Sequence, residues 1–202
     1  MKRLFDVIVA SIGLLLLAPV LIAIAVWIKL DSPGPVFFRQ QRVCRFGELF
    51  RIHKFRTMVA DAPARGPAIT AGGDRRITRS GHFLRHYKLD ELPQLLDVLA
   101  GSMSLVGPRP EVPQYVELYP PATRDLVLSV RPGITDEAAI LFRDESELLG
   151  RSSDPHATYV QDILPRKLAL YEQYVRNQSL TGDVLILWRT IIRVLGARDA
   201  ES

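Results

Sequence analysis

Residues 7–28, with the sequence VIVASIGLLLLAPVLIAIAVWI, form a run of 22 residues without a charged side chain. At about 1.5 Å per residue, a helix of this length reaches roughly 33 Å, which is enough to cross the hydrocarbon core of a bilayer. A cleavable signal peptide ends in small residues, whereas this run ends in Trp27 and Ile28 and continues with Lys29. The sequence therefore predicts a membrane anchor that is retained.

Positive charges flank this anchor on both sides, and such charges mark the cytoplasmic side of a membrane segment. Pro19 lacks an N–H group and its ring clashes with the carbonyl four residues back, so the helix can bend there and return to the face that it entered. A single membrane span kinked at Pro19 agrees equally well with these residues. The flanking cations are Lys2 and Arg3 before the run and Lys29, Arg39, Arg42 and Arg45 after it.

The composition predicts a folded chain. Of the 202 residues, 48% are hydrophobic and 24% are charged, which supplies enough apolar surface for a core and excludes a disordered linker. The net charge of +4 suits an acidic partner, which is either nucleic acid, an anionic membrane or a phosphorylated substrate. The single cysteine, Cys44, cannot form an intrachain disulfide, which is typical of a reducing compartment.

The hydrophobic periodicity outside the anchor predicts a mostly helical fold. Short extended segments at residues 36–38 and 49–52 suggest a small β-hairpin, and residues 61–75 lack periodicity and are expected to form a loop. The last helix is apolar on most of its circumference, so it either lies flat in the membrane interface or packs into the core. The predicted helices cover residues 77–87, 93–99, 155–177 and 181–195.

Two adjacent carboxylates, Asp90 and Glu91, stand before an apolar helical run that begins near Pro93. Because proline is tolerated only in the first turn of a helix, one of the two is expected to mark a helix start. The free N–H groups and the dipole at this position should lower the pKa of that carboxylate. An ionised carboxylate suits a nucleophile or a metal ligand, although on spacing alone an ordinary helix cap is the commoner explanation.

Two arginines lie in segments whose backbone is restricted by proline. Arg109 stands between two prolines, and Arg131 precedes a Pro-Gly turn. A guanidinium matches the oxygens of phosphate, and a rigid backbone loses less entropy when it aims one, so these residues predict a diphosphate ligand. Further positive charge for this ligand comes from Lys54, Arg56 and Arg85, while Arg39, Arg42 and Arg45 fit anionic lipid headgroups equally well.

Four motifs together resemble those of the bacterial sugar transferase family, the monotopic phosphoglycosyl transferases, and the resemblance covers nearly the whole chain. The motifs are KFRTM at 54–58, LDELPQL at 89–95, GSMSLVGPRP at 101–110 and RPGIT at 131–135. The resemblance implies a monotopic membrane protein that is mostly α with small β elements. Residues 1–31 would form a re-entrant helix broken at Ala18 and Pro19, and residues 32–202 a cytoplasmic catalytic domain with interfacial amphipathic helices. At this length the chain is expected to be the minimal catalytic form of the family.

The activity that the resemblance implies is transfer of a phosphosugar from a UDP-sugar to a polyprenol phosphate at the bacterial inner membrane. Asp90 would attack the β-phosphate, expel UMP and carry the phosphosugar covalently, and Glu91 would help to bind Mg²⁺. Lys54, Arg56, Arg85, Arg109 and Arg131 would contact phosphate or nucleotide. The implied partners are the UDP-sugar, the polyprenol phosphate and the lipid bilayer, with no nucleic acid, while the oligomeric state stays open.

Two departures from the family pattern limit the inference. Cys44 replaces a common glycine, and Asp136 and Glu137 enter a stretch that usually reads Gly-Ile-Thr-Gly-x-Ala-Gln. Because the second change lies near Arg131, in a region that could help to select the sugar, the sequence assigns no sugar. A Mg²⁺-dependent hydrolase of nucleotide diphosphates would use the same charged residues without needing the anchor, and a membrane scaffold would not need Asp90.

Overall fold

A computed structural model describes residues 1–62 and 74–196. This part of the chain is mostly helical, as the sequence predicts, and it contains two small sheets. The helices are α1 (Lys2–Asp31), α2 (Arg79–His86), α3 (Gln94–Ala100), α4 (Pro113–Val116), α5 (Pro121–Val127), α6 (Glu137–Leu141), α7 (Glu145–Gly150), α8 (Pro155–Thr158), α9 (Leu164–Arg176) and α10 (Leu180–Leu195). The strands are β1 (Phe37–Val43), β2 (Leu49–Phe55), β3 (Ser104–Val106) and β4 (Gly133–Thr135).

The predicted hairpin is confirmed and is longer than expected. Strands β1 and β2 pair antiparallel from Phe37 opposite Phe55 to Val43 opposite Leu49. The turn between them contains Gly47 at φ 82°, a left-handed conformation that glycine adopts without strain. The hairpin therefore brings Lys54 and its neighbours to a fixed place beside the helices.

The predicted helices are present with shifted ends. Thr78 caps α2 by accepting a hydrogen bond from the Gly81 N–H, and Gly101 ends α3 in a left-handed conformation. The helix predicted over residues 155–177 is divided, because a π-helical turn, Tyr159–Ile163, separates α8 from α9. Most of the loop predicted at residues 61–75 lies outside the described residues.

Helix α1 is continuous over 30 residues and includes Pro19, so the interruption expected at Ala18 and Pro19 is not seen as a gap in the helix. By length and composition α1 is compatible with membrane association. Its apolar side chains are largely exposed, for example Leu15 at 77% and Leu16 at 72%. Exposed apolar surface on this scale is typical of a surface that contacts a membrane or another protein.

Both ends of α1 are held by the same globular part of the chain. At the N-terminal end, Lys2 forms an ion pair with Asp183 of α10 at 2.6 Å, and the buried carboxylate of Asp6 accepts a hydrogen bond from the Ser104 hydroxyl at 2.8 Å. At the C-terminal end, Asp31 accepts hydrogen bonds from the backbone N–H and the hydroxyl of Ser80 at 2.9 and 2.8 Å. The helix is therefore anchored at two points rather than attached by one end.

Strands β3 and β4 form a short parallel pair that the sequence does not predict. Their pairing places Ser104 opposite Gly133 and Val106 opposite Thr135. Two glycines let the connected loops approach closely, because a Cβ atom on Gly133 would lie 2.1 Å from the backbone N of Gly107. The loop that carries Arg109 and the turn that follows Arg131 are consequently packed backbone to backbone.

Replacement of Gly133 by alanine should therefore destabilise the protein by about 1–3 kcal/mol or more, since the added methyl must push the two backbones apart. Chemical denaturation monitored by circular dichroism measures the change. Gly196→Ala is the matched control, because a Cβ atom there meets nothing within 4 Å. Equal stability of Gly133→Ala and the wild type would contradict the close packing of β3 and β4.

Candidate active site

The centre of the candidate site is the carboxylate of Glu91, which is shared by two cations. Glu91 lies at the end of a short 3-10 turn, Leu89–Glu91, which follows Lys88 in a left-handed conformation. Its Oε1 atom accepts a hydrogen bond from Lys54 Nζ of β2 at 2.7 Å, and its Oε2 atom accepts one from Arg109 Nη1 at 3.1 Å. Arg109 Nη2 also contacts Oε1, which makes the ion pair bidentate.

Asp90 has the opposite environment. Its carboxyl group is buried, yet its Oδ1 atom has no hydrogen-bond partner within the described residues. Neither Asp90 nor Glu91 caps the following helix, because α3 begins after Pro93 without a side-chain capping bond. The common structural explanation of this pair, a helix cap, therefore does not apply, and a buried oxygen without a partner marks Asp90 as a functional candidate.

The two neighbouring carboxyl groups have pKa values shifted in opposite directions. Burial, and then the charge of Glu91, raises the pKa of Asp90 above its ordinary value, while Lys54, Arg85 and Lys88 oppose the rise. Burial would also raise the pKa of Glu91, but the charges of Arg109 and Lys54 outweigh it and hold that pKa well below its ordinary value. The lowering that the sequence predicts for a carboxylate at a helix start is thus wrong for Asp90, because its carboxyl group is desolvated and caps no helix.

The five cations predicted to bind substrate do not form one cluster. Lys54 and Arg109 meet at Glu91. Arg85 donates a hydrogen bond to the hydroxyl of Thr57 at 2.8 Å, and its charge opposes the rise in the pKa of Asp90. Arg56 instead donates to the carbonyl oxygens of Pro33 and Ser32 after the end of α1, and Arg131 donates to the Gly101 carbonyl at 2.7 Å. In this structure Arg56 and Arg131 stabilise backbone, and their contact with substrate stays a prediction.

A buried network beside Arg109 is missed by the sequence reasoning. Arg42 of β1 donates to the Pro110 carbonyl at 3.0 Å and forms an ion pair with Glu111 at 3.5 Å. The Tyr159 hydroxyl donates to the same carboxylate at 2.6 Å. Arg42 is thus committed to the loop that holds Arg109, rather than to lipid. Only the spacing of the charged residues was visible in the sequence, not this pairing.

Asp136, one of the departures from the family pattern, is almost fully buried next to this network. It follows β4 and its Oδ1 atom caps α6 by accepting a hydrogen bond from the Ala139 N–H at 2.8 Å. Its Oδ2 atom has no partner within the described residues, and burial raises the pKa of Asp136 to about 6. Because β3 and β4 are parallel, Arg109 and Asp136 follow the same edge of the sheet.

The residues present suit a divalent cation that is shared with a substrate. The described residues contain no group of three or more His, Cys, Asp or Glu side chains that could hold a metal ion alone. Mg²⁺ in phosphoryl-transfer sites is instead bound by one or two carboxylates together with phosphate oxygens and water. The unpartnered Oδ1 atom of Asp90 meets that requirement, with Glu91 adjacent.

The site motifs coincide with a known family. A family model described as "Bacterial sugar transferase" matches residues 1–197, which include all four motifs and the whole of the site. The chain belongs to the bacterial sugar transferase family.

Several curated relatives are similar to this chain over 98% of its length. It is 42% identical to the UDP-glucose:undecaprenyl-phosphate glucose-1-phosphate transferase of Xanthomonas campestris pv. campestris, of which it covers 40%. It is 38% identical to the UDP-N-acetylgalactosamine-undecaprenyl-phosphate N-acetylgalactosaminephosphotransferase of Aeromonas hydrophila, of which it covers 45%. It is 37% identical to a UDP-glucose:undecaprenyl-phosphate glucose-1-phosphate transferase of Caulobacter vibrioides (strain ATCC 19089 / CIP 103742 / CB 15), of which it covers 71%. The chain thus spans less than half the length of the first two relatives.

The opposite pKa shifts predict opposite effects of two similar substitutions. A raised pKa means that the folded state binds the Asp90 proton more tightly, so stability falls as the pH rises through the range between the unfolded and folded pKa values. Asp90→Asn should therefore raise the melting temperature at neutral pH, with the gain disappearing below the ordinary aspartate pKa. Differential scanning fluorimetry from pH 4 to pH 8 measures the melting temperatures of the variant and the wild type.

Glu91→Gln should instead destabilise the protein by about 1–3 kcal/mol, because it leaves two partly buried cations without their counter-charge. The same melting series measures both variants, and Asp125→Asn, at a carboxylate that is 81% exposed, is the control. A lower melting temperature for Asp90→Asn at neutral pH would show that the Asp90 carboxylate stabilises the fold.

Proposed function

We propose that this chain is a phosphoglycosyl transferase, which moves a phosphosugar from a UDP-sugar to a polyprenol phosphate and releases UMP. The observation that carries the proposal is the pair of neighbouring carboxyl groups with unequal partners. Glu91 is neutralised by Lys54 and Arg109, while Asp90 keeps a buried oxygen without a partner. The names of the curated relatives support the substrate classes.

In the first half-reaction, an Asp90 carboxylate oxygen attacks the β-phosphorus of the UDP-sugar. The new O–P bond forms as the bond from that phosphorus to the bridging oxygen breaks, and UMP leaves with the bonding electrons. The phosphosugar is then held as an acyl phosphate ester on Asp90. A carboxylate is required for this step, so the raised pKa of Asp90 should make the rate fall at acidic pH.

In the second half-reaction, a phosphate oxygen of the polyprenol phosphate attacks the same phosphorus. The bond to Asp90 breaks, the carboxylate is regenerated, and the product is a polyprenyl-diphosphate sugar. Such a product is the lipid-linked first unit for assembly of a polysaccharide or glycoprotein glycan. Two displacements at one phosphorus allow the nucleotide and the lipid to use the same site in succession.

The cations around Glu91 are suited to hold the diphosphate. Arg109 has five N–H donors, of which Glu91 takes two, so its guanidinium can still donate to phosphate oxygens. The pKa of Arg109 is raised well above its ordinary value by Glu91, so its charge is permanent. Because Glu91 holds Lys54 and Arg109 in place before substrate arrives, little reorganisation is required when the phosphates bind. Arg85 adds positive charge on the side of Asp90.

We propose Mg²⁺ as the cofactor, held by Asp90 and Glu91 together with the diphosphate. When bound, it would neutralise the negative charge of the two phosphates and of the departing UMP. Asp90 supplies a buried oxygen that has no partner among the described residues. The chain's own contribution is to keep both carboxyl groups at one end of the same turn.

We propose that residues 1–31 enter the inner membrane from the cytoplasmic side and leave it on the same side. Residues 32–202 then lie on the cytoplasmic face of this membrane. A straight span would send the two ends of α1 to opposite sides of a bilayer. The contacts of Lys2 with Asp183 and of Asp31 with Ser80 instead hold both ends to one globular part. The exposed apolar faces of α1 and α10 are the surfaces that would enter the lipid, with α10 as an interfacial helix.

The covalent mechanism predicts that UMP appears before any lipid is added. With UDP-sugar and Mg²⁺ alone, the protein should release at most one UMP per chain and gain the mass of one phosphosugar at Asp90, as intact-protein and peptide mass spectrometry would measure. Asp90→Asn should abolish both signals, because an amide is a poor nucleophile of the same shape. Several UDP-sugars are needed in the assay, because the relatives' names include both glucose and N-acetylgalactosamine.

Asp125→Asn is the control for that experiment and should keep the wild-type UMP burst. UMP released only when polyprenol phosphate is present, with no adduct, would support direct transfer and leave Asp90 as a metal ligand. Continuous UMP release without lipid would identify a hydrolase. Full activity of Asp90→Asn in glycan assembly would favour a membrane scaffold.

The topology is tested with single cysteines in a Cys44→Ser background. One cysteine is inserted after Met1 and the other replaces the exposed Gln41. Because both positions are expected on the cytoplasmic side, neither should react with a membrane-impermeant maleimide in intact spheroplasts, and both should react after permeabilisation. Labelling of only one of the two in intact spheroplasts would show that α1 crosses the membrane.

A further inference from the structure

A groove of about 750 Å³ lies between α6, α9 and α10, away from the carboxylate pair. Its walls carry more apolar than polar surface, and the apolar side chains come from all three helices: Ile140 and Leu141, Leu170, and Ile186. Arg189 and Arg193 line it from α10. This volume is in the range of ligand-binding pockets, and the combination of apolar walls with cations suits a ligand that has a hydrocarbon chain and an anionic head.

The inner end of the groove approaches β3, which precedes the loop that carries Arg109. Tyr174, which lines the groove, donates a hydrogen bond from its hydroxyl to the Val106 carbonyl at 3.0 Å. Val106 ends β3, and Arg109 is three positions further along the chain, a span of at most about 11 Å even for extended chain. Glu137, which also lines the groove, follows Asp136 at the same edge of the sheet.

The outer side of the groove adjoins the exposed apolar face of α10. With about 100° between successive residues, the row of Ile186, Arg189 and Arg193 lies directly beside the row that contains Leu185 and Ile192. Leu185 and Ile192 are 56% and 50% exposed. The groove therefore opens at the boundary between the globular part and the surface assigned to lipid, where arginine side chains can reach the level of phosphate headgroups.

We propose that this groove binds the part of the polyprenol phosphate chain nearest its phosphate during the second half-reaction. The proposal rests on the proposed function and names the place where its lipid acceptor lies. A groove that begins at the lipid-facing side of α10 and leads toward β3 and the loop after it would guide the lipid phosphate toward Arg109 and the phosphosugar on Asp90. The polyprenol phosphate is the favoured occupant, because its phosphate must reach the loop that carries Arg109, whereas a bulk phospholipid takes no part in the reaction.

Charge favours the same occupant. Arg189 forms an ion pair with Glu137 at 2.5 Å across the groove, while Arg193 is 4.0 Å from Asp144 and 54% exposed. Arg143 adds a third cation by donating to the Arg193 carbonyl at 2.6 Å. The three arginines exceed the two acids by one positive charge, which attracts an anionic lipid phosphate entering from the membrane.

Filling the groove should impair only the step that uses lipid. Leu141→Trp, at a rim position that is 66% exposed, and Ile140→Phe should raise KM for undecaprenyl phosphate in detergent micelles about tenfold or more, because the chain loses its apolar contacts. The UMP burst with UDP-sugar alone should keep its wild-type amplitude and rate, which also shows that the variants are folded. Leu148→Trp on α7, 48% exposed and outside the groove, is the matched control and should leave KM unchanged.

Unchanged KM for undecaprenyl phosphate in both groove variants, with a normal burst, would overturn the groove proposal and leave the proposed function intact. Absence of UMP release from the wild-type protein both with and without undecaprenyl phosphate would contradict the proposed function itself. The two failures are therefore distinguishable within one set of assays.

Photo-crosslinking identifies the occupant directly. A benzophenone amino acid in place of Leu141 should form an adduct with undecaprenyl phosphate in nanodiscs of phosphatidylethanolamine and phosphatidylglycerol, whereas the same group at Leu148 should not. Exclusive adducts with phospholipid would make the groove a phospholipid site and overturn the proposal. Adducts between two protein chains would do so too, by showing that the groove is an interface between copies.

Discussion

Glu91 holds Lys54 and Arg109 in one partly buried cluster, and this cluster joins three segments that are far apart in the sequence. The strand β2 supplies the lysine, the 3-10 turn supplies the carboxylate, and the loop after β3 supplies the arginine. Buried ion pairs add little net stability over apolar residues, but removal of one partner is strongly unfavourable. The cluster is therefore better understood as a device that fixes the positions of its members.

The position of Asp90 follows from that cluster. Glu91 takes the hydrogen bonds of Lys54 and Arg109, and Asp90 is left buried with an oxygen that has no partner among the described residues. The arrangement separates two roles that adjacent carboxyl groups would otherwise share. One group orients the cations that would receive phosphate, and the other stays available for the phosphorus. A protein selected only for stability would not leave such a group unsatisfied, which is typical of active sites.

The anchoring of α1 connects this chemistry with the membrane. Its N-terminal end contacts β3 and α10 through Asp6 and Lys2, and its C-terminal end contacts α2 through Asp31. Of these elements, α2 packs against the 3-10 turn that carries Asp90 and Glu91, so the C-terminal end of α1 has a fixed position relative to Asp90. A site that is to receive both a soluble nucleotide sugar and a lipid phosphate requires this kind of fixed position.

Much of this fold could be predicted from the sequence, because the helices and the hairpin have clear periodicity and end signals such as Thr78 and Gly101. The pair β3 and β4 could not, since strands of three residues carry no periodic signal. The proximity of Asp90, Glu91, Lys54 and Arg109 was predicted through the motifs.

Other details of the site lay beyond the sequence for physical reasons. Arginine side chains are long, so the backbone position of Arg56 or Arg131 does not reveal which carbonyl oxygens they reach. The direction of the Asp90 pKa shift depends on burial, which a helix-start argument cannot supply. The groove between α6, α9 and α10 likewise arises only from the way that three separate helices pack.

Because the pKa of Asp90 is raised and that of Glu91 is lowered, Asp90 is the carboxyl group that changes protonation, while Glu91 stays the ionised partner of the cations. Carboxyl ¹³C NMR of protein labelled at aspartate and glutamate side chains, with Asp90→Asn and Glu91→Gln to assign the signals, measures both groups in one titration. The account predicts that Glu91 stays ionised well below the usual glutamate range and that Asp90 titrates above the usual aspartate range. The reverse order, with Glu91 protonating first as the pH falls, would contradict it.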